Sequence, residues 1–267
     1  MQKRILSVQD FSCLGKCSNT VALPVLSALG HECVILPTAL LSTHTGIKGC
    51  SFFDLTDEMR KILDHWTRMD LRFDAVLTGY FGSPEQLSMV RNYLEGKDLF
   101  RFVDPVLGDN GALYDIYTEE FVHAMREFCR GADVITPNVT EACMLTGVPY
   151  PGDHYDEKAM MLILEALLAL DVKRVVLTGV RFSDHEIGVL TVTPGGKPER
   201  YVGPYEDIYF PGTGDTFSAT LCGKLVAGIP FEQAIRETLD FVYRSIQVTI
   251  PTDIRYGLCF EQELQNI

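Results

Sequence analysis

The chain has 267 residues, 46% hydrophobic and 22% charged, ordinary values for a globular protein with room for one large α/β domain or two small ones. A net charge of −13 excludes a nucleic-acid role resting on a basic face. A polyphosphate ligand would therefore have to be drawn by local N–H groups and a divalent cation rather than by the overall field.

The first residues run into a strand-like pattern with no signal-peptide core. The longest apolar run, 160–170, is interrupted by Glu165 and too short to span a bilayer, so a cytoplasmic protein without membrane contact is expected. Eight cysteines are scattered; the one close pair, Cys13 and Cys17, has no partner pair or histidine at zinc spacing. Reduced thiols are expected, with Cys143 and Cys222 in the core.

In chain order, residues 5–9 read as a buried strand, followed by a polar loop over 10–16. A helix from about Ser18 carries Val21, Val25 and Leu29 and stops at Gly30. A strand at 33–36 leads to a glycine-punctuated polar stretch over 41–49, then a helix over 54–66 and a strand over 75–78. Ser83-Pro84 opens another helix, and the strand 100–103 ends on Asp104-Pro105 before a turn-rich loop over 106–111. A helix over 118–129, a strand over 133–135, a short helix to Thr146, a longer helix over 156–170 and a strand over 175–178 follow. Ile187, Val189 and Thr191 alternate towards Gly195-Gly196 and return at Tyr201, a hairpin pattern. A helix to Gly228 and a last one from Pro230 to Pro251 complete the series. The strand–helix alternation predicts an α/β fold whose mostly parallel sheet is covered on both faces. No repeat or composition shift marks a second domain, so a single domain over 1–267 is expected.

In such sheets ligands bind beyond the carboxyl ends of the strands. The polar residues there are Gln9-Asp10, Thr78-Gly79-Tyr80, Asp104, Thr136-Pro137-Asn138 and Thr178-Gly179. The sharpest motif is Pro211-Gly212-Thr213-Gly214-Asp215-Thr216-Phe217. Its glycines precede a helix whose first N–H groups are unpaired, a ready anion site. Asp215 inside that cradle either takes a proton from a hydroxyl attacking a phosphoryl group or merely caps the helix. On the metal side, Asp104 and the pair Asn138 and Glu141 are candidates for a hard cation, often through water. Asn138-Val139-Thr140-Glu141 has capping-box spacing, Asp104 before Pro105 could equally form a turn, and His44 could be a loop histidine without a role. P-loop, protein-kinase, nucleophile-elbow and zincin motifs are absent.

Gly-Thr-Gly-Asp-Thr-Phe-Ser-Ala at 212–219 resembles the signature of the ribokinase superfamily. Over nearly its whole length the chain resembles the pyridoxal (pyridoxine, pyridoxamine) kinases within it. Val8-Gln9-Asp10 through Gly15 and Asn19, Ser42-Thr43-His44-Thr45-Gly46, Thr78-Gly79-Tyr80, Val103-Asp104-Pro105-Val106-Leu107-Gly108-Asp109 and Thr136-Pro137-Asn138 through Glu141 carry the resemblance. It implies a three-layer α/β/α, ribokinase-like fold and transfer of the ATP γ-phosphoryl to the 5′-hydroxymethyl of a B6 vitamer. By position, Asp215 would be the base, and the amides of Gly212, Thr213 and Gly214 would hold the transferring phosphate. Asp10, Ser12, His44, Thr45, Gly46 and Tyr80 would line the substrate pocket with Asp215. Asp104, Thr136, Asn138, Glu141, Thr178, Gly203, Pro204 and Tyr205 would lie at ATP, with Asp104 and Glu141 acting with Mg²⁺ through water and the hairpin at about 186–205 forming a lid. A homodimer and a response to a monovalent cation such as K⁺ are further implications. Asp10 departs from the family pattern, which places a serine there; a carboxylate accepts but cannot donate, and it could pair with the ammonium of pyridoxamine. Alternative readings are a hydroxymethylpyrimidine kinase of thiamine synthesis and a catalytically inactive vitamer-binding protein.

Overall fold

The computed structural model describes residues 2–152 and 156–267. In chain order its elements are β1 (Arg4–Ser12), α1 (Asn19–Ala28), β2 (Glu32–Leu41), β3 (Phe52–Asp54), α2 (Thr56–Arg68), β4 (Ala75–Thr78), α3 (Pro84–Leu94) and β5 (Phe100–Val103). They continue with β6 (Gly108–Asp109), β7 (Ala112–Leu113), α4 (Glu119–Cys129), β8 (Val134–Ile135), α5 (Val139–Thr146), α6 (Glu157–Leu168) and β9 (Val175–Ser183). The series ends with β10 (Glu186–Val192), β11 (Glu199–Pro204), α7 (Thr213–Val226) and α8 (Phe231–Thr249). Residues 1–82, 93–100 and 207–267 form one compact unit, and residues 83–92 and 101–206 a second.

In the first unit the strand order is β4-β1-β2-β3. β1 lies parallel to both β4 and β2, and the short β3 adds antiparallel at the edge. Ile5, Leu6 and Val8 are fully buried, as expected of a parallel strand with both faces covered. The strand runs three residues beyond the predicted end. Its pairing with β2 shifts register after Gln9↔Pro37 and resumes at Phe11↔Leu40, so Asp10 lies opposite two residues of the partner. The bulge is in β2, at Thr38 and Ala39, and Asp10 is the strand residue facing it, not part of a loop.

Phe217, Leu221 and Leu225 recur at helical spacing along α7, a pattern for one buried stripe. Phe217 and Leu221 are buried and Leu225 is half-buried, but every residue from Thr216 to Lys224 is buried as well. A helix enclosed on all sides shows no clean stripe in its sequence.

The second unit has the order β5-β8-β9-β10-β11. β5, β8 and β9 are parallel, and β9, β10 and β11 form an antiparallel meander whose last two strands are the predicted hairpin. Its core centres on Phe102, Val134, Ile135, Leu164 and Leu177. β9 outruns its predicted end because β10 pairs along it, and the loop expected at 106–111 contains one strand of the β6–β7 ribbon. Both units are thus α/β, the first with mainly parallel pairing and the second with a parallel half and an antiparallel meander. Cys143 and Cys222 are buried and every cysteine is free.

A buried polar triad ties α1 to β1. The Ser7 hydroxyl donates to Asn19 Oδ1 (2.7 Å), Asn19 Nδ2 donates to the Gln9 carbonyl (2.8 Å), and Gln9 Nε2 donates to Ser7 Oγ (3.0 Å). Truncating one member strands the others without water. Asn19→Ala is expected to lower the urea midpoint by an amount equivalent to ~1–3 kcal/mol with an unchanged m-value; an unshifted midpoint would mean that the triad is not a stabilising unit.

Candidate active site

In the first unit, α7 begins at Thr213 with Gly212 as its N-cap residue, at φ 76° and ψ 8°. Gly212 has no Cβ to accommodate: one placed there would fall on the Lys16 carbonyl oxygen. The first ladder bond of the helix runs from Thr216 N–H to the Gly212 carbonyl (2.9 Å), so the N–H groups of residues 213–215 have no acceptor within the helix. Thr213 Oγ1 is occupied by the Phe210 carbonyl (2.8 Å), and no side chain caps the helix. The capping reading of Asp215 therefore fails: its carboxylate accepts from the Ser18 backbone N–H instead. Burial pushes its pKa from the usual 3.8 up to about 6, with the Asp10 charge adding to the rise and the Ser18 bond opposing it.

Asp10 is buried opposite the β2 bulge and accepts from Ser12 Oγ (3.1 Å) and from Ser18 Oγ. Burial raises its pKa; the Ser18 and Ser12 hydroxyls and its own N–H act the other way, with a smaller effect from the nearby His44 ring. The Tyr80 phenol is held neutral by burial and by the Asp10 charge. Thr45 and Gly46 are exposed on the loop that follows β2.

His44 is buried, and both its ring nitrogens are engaged. Nε2 lies 2.6 Å from the Arg255 carbonyl, and Nδ1 accepts from Gly46 N–H (3.2 Å). A carbonyl can only accept, so the bonding assigns the proton to Nε2. The ring packs where a Gly15 side chain would be, at φ 101°. His44 is thus a brace joining the loop after β2 to the turn at 254–257; its nitrogens are not free for a ligand. The Lys16 N–H adds a second tie to that turn, donating to the Tyr256 carbonyl (2.9 Å).

In the second unit, Asn138 and Glu141 form a complete capping box on α5: Asn138 Oδ1 accepts from Glu141 N–H (2.8 Å) and Glu141 Oε2 from Asn138 N–H (2.8 Å). Glu141 Oε1 also accepts from Leu107 N–H (3.1 Å), and Asn138 Nδ2 donates to the Gly108 carbonyl (2.9 Å). The box therefore also straps the loop after Asp104. Both carboxylates are buried, and burial with the Asp104 charge beside it pushes the Glu141 pKa well above the carboxylate range. Among the described residues no group of three or more His, Cys, Asp or Glu side chains could hold a metal, so this is a pair and not a closed cage.

A cavity of about 340 Å³ in the same unit is lined by Asn138 and Tyr205, with Thr140, Tyr150, Gly179 and Arg181 among its walls. Thr178 stands beside it with its N–H on the Pro137 carbonyl (2.9 Å), and Gly203 and Pro204 pair with Ile187 and Glu186 in the hairpin. The Thr136 N–H donates to the Val103 carbonyl (3.0 Å), which fixes the end of β8. Arg181 is a site residue that the sequence reading missed; its guanidinium stacks on Tyr205 at 4.6 Å from the ring centre. Continuing β9 past Thr178 with a period of two would have placed Gly179 and Arg181 on one face.

The phosphomethylpyrimidine kinase family model matches residues 23–258. The pyridoxal kinase of Dictyostelium discoideum is 31% identical over 244 residues, covering 84% of this chain and 78% of that protein. The chain belongs to the pyridoxal kinase family. The crystal structure of pyridoxal kinase from Lactobacillus plantarum superimposes with a TM-score of 0.93 at 36% identity, covering all of this chain and 96% of that one. Pyridoxal kinase from Leishmania donovani in complex with ADP and pyridoxamine gives 0.89 at 26% identity, covering 99% and 95%. The α/β, ribokinase-like fold expected from the sequence is thus the fold of pyridoxal kinases, and the chain is an ATP-dependent kinase.

The raised Asp215 pKa has a consequence for stability. The folded chain holds this proton more tightly than the unfolded chain, so the group's contribution is fully present below about pH 4 and is lost as pH rises through about 6. Asp215→Asn is therefore expected to raise unfolding stability at pH 7.5 by ~1–3 kcal/mol and to leave it unchanged at pH 4. Denaturant titrations at the two pH values check this; equal stabilities at pH 7.5 contradict it.

Proposed function

We propose that the chain transfers the γ-phosphoryl group of ATP to the 5′-hydroxymethyl group of a B6 vitamer, pyridoxamine, pyridoxal or pyridoxine, in vitamer salvage. The observation that carries this reading is the placement of a carboxylate titrating near 6 in the first turn of a helix whose leading N–H groups face outward uncapped. In the reaction the vitamer hydroxyl oxygen bonds to the γ-phosphorus, the bond from phosphorus to the ADP oxygen breaks, and Asp215 takes the hydroxyl proton. The amides of Gly212, Thr213 and Gly214 hold the transferring phosphate. Asp10, with Ser12, orients the vitamer ring alongside Thr45, Gly46 and Tyr80, while His44 keeps the loop in place.

On the nucleotide side, Asn138, Thr178 and Tyr205 at or beside the cavity, with Thr136, Gly203 and Pro204, receive ATP, and the β10–β11 hairpin serves as its lid. Two buried carboxylates side by side offer the oxygen donors that a hard divalent ion prefers. Glu141 already accepts two N–H bonds, so Asp104 and Glu141 would hold Mg²⁺ through water, and the ion would neutralise phosphate charge. A monovalent ion such as K⁺, a homodimer and a cytoplasmic setting belong to the same reading, as does a single catalytic domain over 1–267. Among the described residues no helix is long and apolar enough to cross a membrane.

The match to the phosphomethylpyrimidine kinase model favours hydroxymethylpyrimidine as the second substrate to test. Transfer of label from [γ-³²P]ATP across the three vitamers and hydroxymethylpyrimidine separates the readings: a vitamer kinase labels the former, a pyrimidine kinase the latter, and an inactive binder neither. Asp215→Asn is expected to lower kcat roughly 10²–10⁴-fold with vitamer binding retained. Wild-type turnover in that variant would remove Asp215 from the chemistry.

Asp10 is also proposed to tilt selectivity towards pyridoxamine, whose ammonium it can pair with at a desolvated site. In Asp10→Ser the kcat/KM ratio of pyridoxamine to pyridoxal should fall several-fold. An unchanged ratio rules out the tilt.

A further inference from the structure

Ser18 stands between the two carboxylates just described and touches both. Its hydroxyl donates to Asp10 Oδ1 and its backbone N–H donates to Asp215. It is also the residue preceding α1, where a serine ordinarily turns its hydroxyl back to cap the helix; here no side-chain cap bond forms. Its backbone adopts φ 51° and ψ −126°, a conformation that favours glycine. A side chain kept at such a position, and withheld from its helix, has a task elsewhere.

We propose that Ser18 is a positioning residue that sets the order in which the two carboxylates ionise: its hydroxyl holds Asp10 as the fixed acceptor, and Asp215 is left as the member that gains and loses the proton. Buried carboxylate pairs divide labour when their surroundings differ, and here the difference is hydroxyl bonding. Asp10 accepts from two hydroxyls, Ser12 and Ser18, whereas the Ser18 N–H is the bond that favours ionised Asp215. The other titratable groups facing the pair are the His44 ring and Tyr80 phenol beside Asp10 and the Cys17 thiol beside both. Burial keeps the Cys17 thiol and the Tyr80 phenol protonated, so neither supplies the charge. This inference rests on the proposed base and acceptor roles of Asp215 and Asp10.

The test is the Ser18→Gly variant, which keeps the N–H and relaxes the backbone while deleting the hydroxyl. With ¹³C-carboxyl-labelled aspartate, the Asp10 and Asp215 signals are assigned with the Asp10→Asn and Asp215→Asn variants and titrated in the unliganded protein. In the wild type Asp10 should ionise before Asp215. In Ser18→Gly the Asp10 midpoint should move up and the Asp215 midpoint down, each by about half a pH unit or more. The acid limb of kcat should follow the Asp215 midpoint, and the KM for pyridoxamine should rise relative to that for pyridoxine. Midpoints unmoved in a folded Ser18→Gly protein, or Asp215 ionising first in the wild type, would overturn the proposal. If the wild type phosphorylates no vitamer, the functional reading fails by itself and the NMR titration still decides the role of Ser18.

Discussion

Two carboxylates, buried Asp10 and half-buried Asp215, share one corner of the first unit, and ionising both there is costly. Low polarisability makes each charge expensive, and each charge raises the expense of the other. The local structure answers that constraint in detail. β1 holds Asp10 buried opposite the β2 bulge, Ser12 and Ser18 solvate it, and the Ser18 N–H is turned to Asp215. Gly212 brings the start of α7 against the loop at Lys16, so the uncapped end of a helix lies next to the second acid. A helix N-terminus without a capping side chain is itself incomplete until an anion arrives. The corner is thus unsatisfied in two ways, with an acid that cannot easily ionise and amides that lack acceptors. On the proposed reading, a hydroxyl substrate and a phosphoryl group would relieve both together.

The second unit meets the same difficulty differently. Glu141 lies beside Asp104 at full burial, but two backbone N–H groups take up both its oxygens. Its carboxylate is an element of the fold as much as of the site, since it links the α5 N-terminus to the loop after β5. Such a residue tolerates little substitution whatever its chemical role, because its removal would leave two buried donors stranded. A capping box and a ligand-side carboxylate are therefore not rival descriptions of it.

Much of this was legible in the sequence, and the failures have physical causes. β4 and β5 fall at their predicted bounds and α3 at its predicted start, because turn residues or proline punctuate them sharply. β1 and β9 outrun theirs because long partners extend the pairing beyond the apolar run, which local pattern does not reveal. β3 was missed since its three residues are all exposed and carry no alternation of buried and open positions. At the site, the glycine cradle, Asp215 and the Asn138–Glu141 box declare themselves through spacing. Ser18 does not: its importance comes from a bulge, a positive φ and a helix packed nearby, none of which a hydroxyl residue before a helix announces. His44 was visible as a loop histidine, but its tie to Arg255 joins positions 211 residues apart in the chain.

That tie bears on how the molecule is assembled. Lys16 and His44 both lean on residues 255–256, and the Lys16 ammonium reaches Glu261 across 245 residues. Contacts between such distant positions form late, because a long intervening segment must first be brought to order. The loops around Asp10 thus take their final shape only with residues 255–261 seated against them, and a vitamer that binds only the seated loops would favour that arrangement by mass action. Supply of the vitamer would then govern how long the segment around 254–261 lies open to proteases, making the substrate a guardian of its own enzyme.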